Sequence, residues 1–254
     1  MLKHRIIPTL LLKDNTLLKG VNFNSWRTVG SALPAIKVYN LREVDELILL
    51  DVSATLDCRR PDFEAISELA SECFVPFTVG GGIKSIEDIK ELLRSGADKV
   101  CINSSIYSNP DFIIEAVNYF GSQCIVASID VMRNNSLGYE CYSYSGTKST
   151  GISIYNWITE VERLGVGEIL ITSIDYDGTM QGYDFELFSS ISSTVNVPII
   201  AAGGAGNYQH FVDAINKCNV SAVAAASMFH FTEQTPLKAK YYMQKNGVPV
   251  RILR

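Results

Sequence analysis

The chain has 254 residues, of which 47% are apolar and 19% charged, so it can bury a large core and has no signature of disorder. Its net charge of -5 without a basic stripe argues against nucleic-acid binding, and no apolar run approaches the roughly 18 residues that a membrane span needs. The six cysteines form no C-x-x-C pair and the three histidines show no metal-ligand spacing, so we expect no metal and no cofactor. The N-terminal segment lacks the apolar region of a secretory signal, so we expect a cytoplasmic protein.

Short β-branched runs alternate with amphipathic helical patterns along the chain, as in parallel strands covered by crossover helices. Eight such runs begin near Arg5, Asp45, Val75, Asp98, Cys124, Glu168, Val197 and Ser221. Eight strand–helix units close a barrel, and the chain length is usual for that fold. The sequence therefore predicts an α/β fold, a single (βα)₈ TIM-barrel domain over residues 1–254.

Turn and cap signals refine this prediction. Ser85 and Asp88 form a capping-box pattern at the start of one helix, and Gly96 supplies its C-terminal stop. The segment 133–153 alternates like a β-hairpin placed after the fifth strand. We predict this hairpin as the one insertion in the barrel.

The sequence also repeats within itself. VPFTVGGG begins at Val75 and VPIIAAGG begins at Val197, a spacing of 122 residues. This spacing predicts a two-fold repeat of half-barrels. The same repeat aligns the first strand with the fifth and sets Leu11 opposite Asp130.

Two glycine-containing clusters follow predicted strands, at the barrel end where enzymes of this fold place their active sites. The first, after the third and fourth strands, consists of Gly80, Gly81, Gly82, Asn103, Ser104 and Ser105. The second, after the seventh and eighth strands, consists of Gly203, Gly204, Ala226 and Ser227. Backbone N–H groups and hydroxyls of this kind bind phosphate. Two such clusters on opposite sides of one mouth predict a long substrate that is phosphorylated at both ends. Alternatively, the glycines only form tight turns.

Carboxylates project toward the same end. Asp130 closes the fifth strand, and Asp177 and Asp51 follow other strands, so they are candidates for acid–base chemistry or substrate contact. Thr172 and Ser173 end the sixth strand and are candidate polar contacts. The alternative is that these side chains only cap loops.

The opposite end of the barrel carries charge. Arg5, Glu46, Lys99 and Glu168 each precede an apolar run, and two are positive and two negative. Charges at strand ends are ordinarily solvated, and the residues alone leave that alternative open.

Several motifs then occur in the order of one family: RIIP, KG-NF at 19–23, FTVGGGI, GADKV-IN, FGSQ, ASID, YSYSGT, GEILITSIDYDGT, GAG and FHF. Over its whole length the chain resembles the cyclase subunit of imidazole glycerol phosphate synthase. That resemblance implies a lyase that uses ammonia from a partner glutaminase, in a heterodimer, to convert a bis-phosphorylated ribulosyl intermediate. The implied products are imidazole glycerol phosphate and an aminoimidazole carboxamide ribotide.

The resemblance also implies residue roles. Asp130 matches the catalytic residue of the fifth strand, and Lys19 matches a mobile loop that contacts substrate. Substrate- or phosphate-binding positions are Gly82, Asn103, Ser104, Asp177, Gly178, Gly204 and Ser227, to which the strand-end argument adds Thr172, Gly203 and Ala226. The four charges at the other end match a salt-bridged ring that passes ammonia, made by Arg5, Glu46, Lys99 and Glu168. Asp98 and Gln123 match the surface that faces the glutaminase.

The chain departs from the family at the first strand. The family has an aspartate where this chain has Leu11, so one of two catalytic carboxylates is missing. Asp14 lies three residues later and is not expected to reach the same point, because strand geometry fixes the inward direction.

Two functions therefore stay open. In one, the barrel is a repurposed paralogue that docks a glutaminase and conducts ammonia to another acceptor, such as a sugar amidotransferase in surface-polysaccharide synthesis. In the other, it is an active cyclase of histidine biosynthesis. The departure at Leu11 favours the first, and the retained motifs favour the second.

Overall fold

The computed structural model describes residues 3–252, in which eight parallel strands close a barrel. The strands in chain order are β1 (Arg5–Lys13), β2 (Thr16–Val21), β3 (Asn24–Ser31), β4 (Leu47–Asp51), β5 (Phe77–Gly80), β6 (Lys99–Ile102), β7 (Ile125–Asn134), β8 (Gly138–Ser143), β9 (Lys148–Ser153), β10 (Glu168–Ser173), β11 (Ile199–Ala202) and β12 (Ala222–Ala225). The barrel order is β1, β4, β5, β6, β7, β10, β11, β12, and β12 pairs with β1 to close it.

Helices cover the barrel between successive strands. They are α1 (Ala32–Leu41), α2 (Phe63–Ser71), α3 (Ile86–Arg94), α4 (Ser104–Ser108), α5 (Asp111–Phe120), α6 (Ile154–Arg163), α7 (Phe185–Ile191), α8 (Tyr208–Cys218), α9 (Ser227–Phe231) and α10 (Pro236–Lys245). A 3₁₀ turn at Ser122–Cys124 precedes β7. Within residues 3–252, none of the helices combines the length and the apolar character needed to cross a membrane.

The predicted barrel is confirmed. Each barrel strand begins at the predicted position or within two residues after it. The two-residue delays at β5 and β11 have a local cause, because Pro76 and Pro198 precede these strands and have no N–H for the ladder. The capping box of α3 is also present, with Ser85 and Asp88 each accepting from the other's backbone.

The predicted hairpin at 133–153 is confirmed as β8 and β9, which continue antiparallel from β7. The prediction that it is the one insertion was wrong, because β2 and β3 form a second hairpin after β1. Its first turn uses Asp14 and Asn15, both with positive φ, a conformation that Asp and Asn tolerate better than most residues. The two-fold repeat therefore includes both hairpins.

The inside of the barrel is mostly packed with apolar side chains. Ile7 is fully buried there, two residues along β1 from the charged Arg5. The remaining members of this inner cluster are Ile48, Cys101, Val126, Leu170, Ile200, Ala202, Ala222 and Ala224. A larger apolar layer lies between the strands and the helices.

A buried ion pair ties the last helix to the start of the barrel. Lys240 of α10 is 1% exposed, and its Nζ lies 2.6 Å from Asp45 Oδ1 and 2.5 Å from the carbonyl oxygen of Glu43. The other oxygen of Asp45 accepts a hydrogen bond from the backbone N–H of Ile6 at 2.9 Å. This network fixes β1 where it enters the barrel.

We expect Lys240→Ala to destabilise the fold by about 3–5 kcal/mol, because it leaves the Asp45 carboxylate buried without its cation. Urea denaturation at neutral pH measures the effect. Lys238→Ala, an exposed position on the same helix, is the control and should stay within about 0.5 kcal/mol. Equal effects of the two substitutions would contradict this assignment.

Candidate functional site

A cavity of about 350 Å³ opens at the carboxyl ends of the barrel strands. Leu11 and Asp51 lie on its wall. So do many of the residues singled out from the sequence: Lys19, Gly82, Asn103, Ser104, Asp130, Thr172, Asp177, Gly203 and Ala226. The barrel thus brings residues from both glycine-containing clusters to one mouth.

Asp130 is the buried carboxylate of this cavity. It ends the inward-facing part of β7, and Asn103 Nδ2 donates to its Oδ2 at 2.9 Å. Burial, reinforced by the negative charge of Asp177, raises the pKa of Asp130 to about 7, against the opposing hydrogen bond from Asn103. A carboxyl with such a pKa can both accept and release a proton near neutral pH.

Lys19 and Asp177 form a buried ion pair beside Asp130. Lys19 Nζ on β2 lies 2.5 Å from Asp177 Oδ2 in the loop after β10. Burial raises the pKa of Asp177, while Lys19 acts in the opposite direction. The tip of the hairpin is fixed to the same loop, because Asn22 N–H donates to the carbonyl of Asp177 at 2.7 Å and its side chain to that of Asp175 at 2.6 Å.

Leu11 occupies an inward position on β1 and lines the cavity. It pairs with Leu50 of β4 in register, and Phe23 and Trp26 of the β2–β3 hairpin lie on the same wall. These three side chains are apolar, and Leu11 itself offers no group for proton transfer. Asp14 does not compensate for Leu11, since it is exposed in the turn between β1 and β2.

The geometry of the first glycine-containing cluster is compatible both with phosphate binding and with tight turns alone. Gly82 has φ +75°, and its N–H lies 3.3 Å from Thr55 Oγ1. A Cβ at Gly81 would lie 2.2 Å from the carbonyl oxygen of Asp51, so a tight turn alone requires glycine there. Ser104 Oγ accepts from the N–H of Tyr144 at 3.0 Å, which links the cluster to the β8–β9 hairpin.

The second cluster is only partly on the cavity wall. Gly204 lies off it, and so does Gly178, a further candidate in the loop after β10. A Cβ on Gly204 would lie 1.9 Å from the carbonyl oxygen of Gly182, and one on Gly178 would lie 2.2 Å from that of Gly20, so both glycines allow close backbone packing. Ser227 also lies off the wall, and its buried hydroxyl has no hydrogen-bond partner in the described chain.

Two of the other candidate polar residues take part in structural hydrogen bonds. Asp51 caps its own loop, since Oδ1 accepts from Ser53 N–H at 3.0 Å and Ala54 N–H at 2.9 Å, and Arg59 pairs with its Oδ2. Ser173 points away from the mouth and donates toward Asp184 at 3.4 Å. The strand alternation that turns Ser173 away sends its neighbour Thr172 into the cavity.

Sequence reasoning missed several cavity residues. Phe23, Trp26, Lys84, Tyr144 and Ser145 all lie on the wall. Phe23, Tyr144 and Ser145 have positive φ in hairpin tips. This conformation is uncommon for such residue types, so it could not be predicted from the sequence. The motifs KG-NF and YSYSGT contained three of them without indicating their direction.

At the other end of the barrel, the four predicted charges form a closed ring. Glu46 accepts from Arg5 at 2.8 Å and from Lys99 at 2.9 Å, and Glu168 pairs with Lys99 at 2.6 Å and with Arg5. Burial acts to raise the pKa of Glu168, but Arg5 and Lys99 together hold it below its ordinary value. Thr78 Oγ1 donates to Glu46 at 2.9 Å from inside the barrel.

The two residues matched to a partner surface lie at this same end. Asp98 is exposed just before β6, and its Oδ2 accepts from the N–H of Phe77 at 2.8 Å. Gln123 is exposed in the 3₁₀ turn before β7, and its side chain donates to the carbonyl of Phe120. Both side chains flank the charged ring rather than the cavity.

Comparison with known proteins gives consistent similarities. The model of the histidine biosynthesis protein family matches residues 5–235. The chain is similar to imidazole glycerol phosphate synthase subunit HisF of Staphylococcus saprophyticus, 46% identical over 252 residues, and of Staphylococcus carnosus, 45% identical over 252 residues. The same subunit of Streptococcus mutans is 42% identical over 251 residues. Each match covers 99% of this chain and at least 99% of the relative.

We expect the Asp130 carboxyl to titrate with a midpoint near pH 7, measured by carbon-13 NMR. Because this pKa is raised in the folded state, the stability that Asp130 contributes relative to Asp130→Asn should be lost as pH rises from about 4 to about 7. Asp177→Asn should lower the midpoint by removing a like charge, whereas Asp213→Asn on α8 should not move it. An ordinary midpoint near 4 would contradict the geometry of the site.

Proposed function

This chain belongs to the histidine biosynthesis protein family and resembles imidazole glycerol phosphate synthase subunit HisF, and we propose that it conducts ammonia. In this proposal the chain is a single-domain barrel that receives the ammonia from a partner glutaminase. The main observation in support of this function is the contrast between the two ends of the barrel. The charged ring of Arg5, Glu46, Lys99 and Glu168 is closed by salt bridges, while Leu11 stands where the resemblance implies a catalytic carboxylate.

A path between the ends is supported by polar atoms inside the barrel. Thr78 lies just within the ring, and Ser128 lines the cavity together with Cys101. Thr9 Oγ1 and Asn103 Oδ1 are buried acceptors without partners in the described chain, and both residues line the cavity. Ammonia is a hydrogen-bond donor, so it would satisfy these otherwise costly atoms as it passes.

The mouth supports weak cyclase chemistry at most. Asp130, with its raised pKa, can serve as one general acid or base. The position opposite it is Leu11, which cannot move a proton. Loss of one such group typically costs about 10² to 10⁴ in rate, so the barrel would be a poor catalyst by itself.

The cavity also supports binding of a phosphorylated ligand. Gly82 and Ser104 lie at one side of the mouth, and Gly203 and Ala226 lie at another. Backbone N–H groups at such turns bind phosphate whether or not catalysis has decayed. A bis-phosphorylated small molecule would span the two clusters.

An apolar surface beside the charged ring supports partner docking. Leu41 ends α1 and is 83% exposed, and Phe74 follows α2 and is 78% exposed. They are neighbours, because the Asn40 side chain donates to the carbonyl of Glu72 at 2.6 Å and accepts from the N–H of Phe74. Large exposed apolar side chains that adjoin each other mark protein interfaces, and this pair lies near Asp98, on the face we assign to the glutaminase.

The ammonia acceptor of this conduit is proposed from the resemblance, as a downstream sugar amidotransferase in surface-polysaccharide synthesis. The six cysteines are all unpaired, which supports a reducing, cytoplasmic location.

The second candidate function is an active cyclase of histidine biosynthesis. Full-length identity of 42–46% to HisF subunits and the retained Asp130 favour that alternative.

Free ammonia separates the two functions. Supplied with ammonium and the bis-phosphorylated cyclase substrate, the purified protein should turn over very slowly, and Leu11→Asp should raise the rate by about 10² to 10⁴. Leu11→Asn is the matched control, since it is polar and of similar size to Asp but cannot ionise. Wild-type turnover at ordinary enzyme rates, about 1 to 10³ per second, would favour the active cyclase.

Docking is tested with the glutaminase subunit itself. Phe74→Asp should weaken the complex at least about tenfold in calorimetric titration, as expected for a buried aromatic at an interface. Met180→Asp, an exposed apolar position at the mouth, should leave affinity unchanged. If both substitutions act alike, the docking face is misassigned.

A further inference from the structure

We propose that Lys84 is the cationic binding residue of the first glycine-containing cluster, so that a phosphoryl group binds there more tightly than at the second cluster. This inference rests on the proposed function, since it concerns the same mouth. It adds a residue that neither the motifs nor the strand-end argument indicated. The ligand class is a phosphate monoester dianion.

The position of Lys84 is fixed by its backbone. Its N–H donates to Asp88 Oδ2 at 3.0 Å in the capping box of α3. The preceding carbonyl, of Ile83, accepts from Ser105 Oγ at 2.8 Å. These bonds hold Lys84 between the Gly82 turn and the first turn of α4, on the cavity wall.

The ammonium of Lys84 is available to a ligand. The nearby carboxylates have other partners, because Asp88 pairs with Arg60 at 2.7 Å and Glu87 pairs with Lys90 at 3.4 Å. Within residues 3–252, Lys84 itself makes no ion pair. A dianion entering this side of the mouth would meet an unneutralised cation beside the N–H of Gly82.

The other lysine of the cavity wall is in a different state. Lys19 is buried and already paired with Asp177 at 2.5 Å. The charge of Lys19 is thus already offset by the Asp177 carboxylate, so an anion beside Lys19 would meet a neutral pair rather than a free cation. Of the two lysines that the described residues place on the cavity wall, only Lys84 is without an ion pair, so we expect the first cluster to bind phosphate more tightly than the second.

Titration of the nitrogen-15-labelled full chain with inorganic phosphate, followed by NMR, tests this inference. The Gly82 amide should respond at lower phosphate concentration than the Gly203 amide. Lys84→Ala should raise the dissociation constant read at Gly82 about tenfold, as for loss of one charge-assisted hydrogen bond, and should flatten its salt dependence. Lys84→Arg should restore the affinity, and Lys90→Ala, on the helix α3 that follows Lys84, should not change it.

Each contrary result has a distinct meaning. Unchanged affinity in Lys84→Ala, with the Gly82 response retained, would overturn the role of Lys84 and leave phosphate binding intact. A lower dissociation constant at Gly203 than at Gly82 would overturn the proposed order of affinities. Absence of any Gly82 response in the wild-type chain would overturn this inference and phosphate binding at the first cluster together.

Discussion

The alternation of side chains along parallel strands is the constraint on which the rest of this structure depends. Residues two apart on a barrel strand point the same way, so Arg5, Ile7, Thr9 and Leu11 of β1 all face the interior. One strand therefore contributes to the charged ring, the packed interior and the mouth. The same holds for β10, which contributes Glu168 to the ring, Leu170 to the packed interior and Thr172 to the mouth. Closure of the barrel brings these contributions together.

This geometry separates the two ends of the barrel energetically. The ring holds four charges in salt bridges that a change at the mouth does not touch, and the buried Lys240–Asp45 pair fixes β1 at the ring end. At the mouth, Leu11 is an inward-facing residue paired in register with Leu50, and it offers no ionisable group. An apolar residue therefore fits this position of β1 without a change in the fold. Lys19, held by Asp177, keeps the β2–β3 hairpin over the same mouth.

The fold could be predicted from the sequence because its signals are local. Strand periodicity, prolines before β5 and β11 and the capping box of α3 each lie within a few residues. The second hairpin was missed although Asp14 and Asn15 carried a turn signal, because the segment around Lys19 was considered only as a loop. Contacts between residues far apart in the chain could not be predicted from the sequence, as for Lys19 and Asp177, which are 158 positions apart. The direction of a side chain in a hairpin tip, as for Phe23, depends on a positive φ that residue type does not encode.

Our central proposal is that ammonia travels through the barrel although Leu11 stands where the resemblance implies a catalytic carboxylate. The most direct measurement is isotope partition in the wild-type complex with its glutaminase, given amide-nitrogen-15 glutamine, the bis-phosphorylated substrate and excess unlabelled ammonium. Slow product formed over hours is analysed by mass spectrometry. The account predicts product carrying undiluted nitrogen-15, formed at a low rate. Product with the isotopic composition of the bulk ammonium would contradict it.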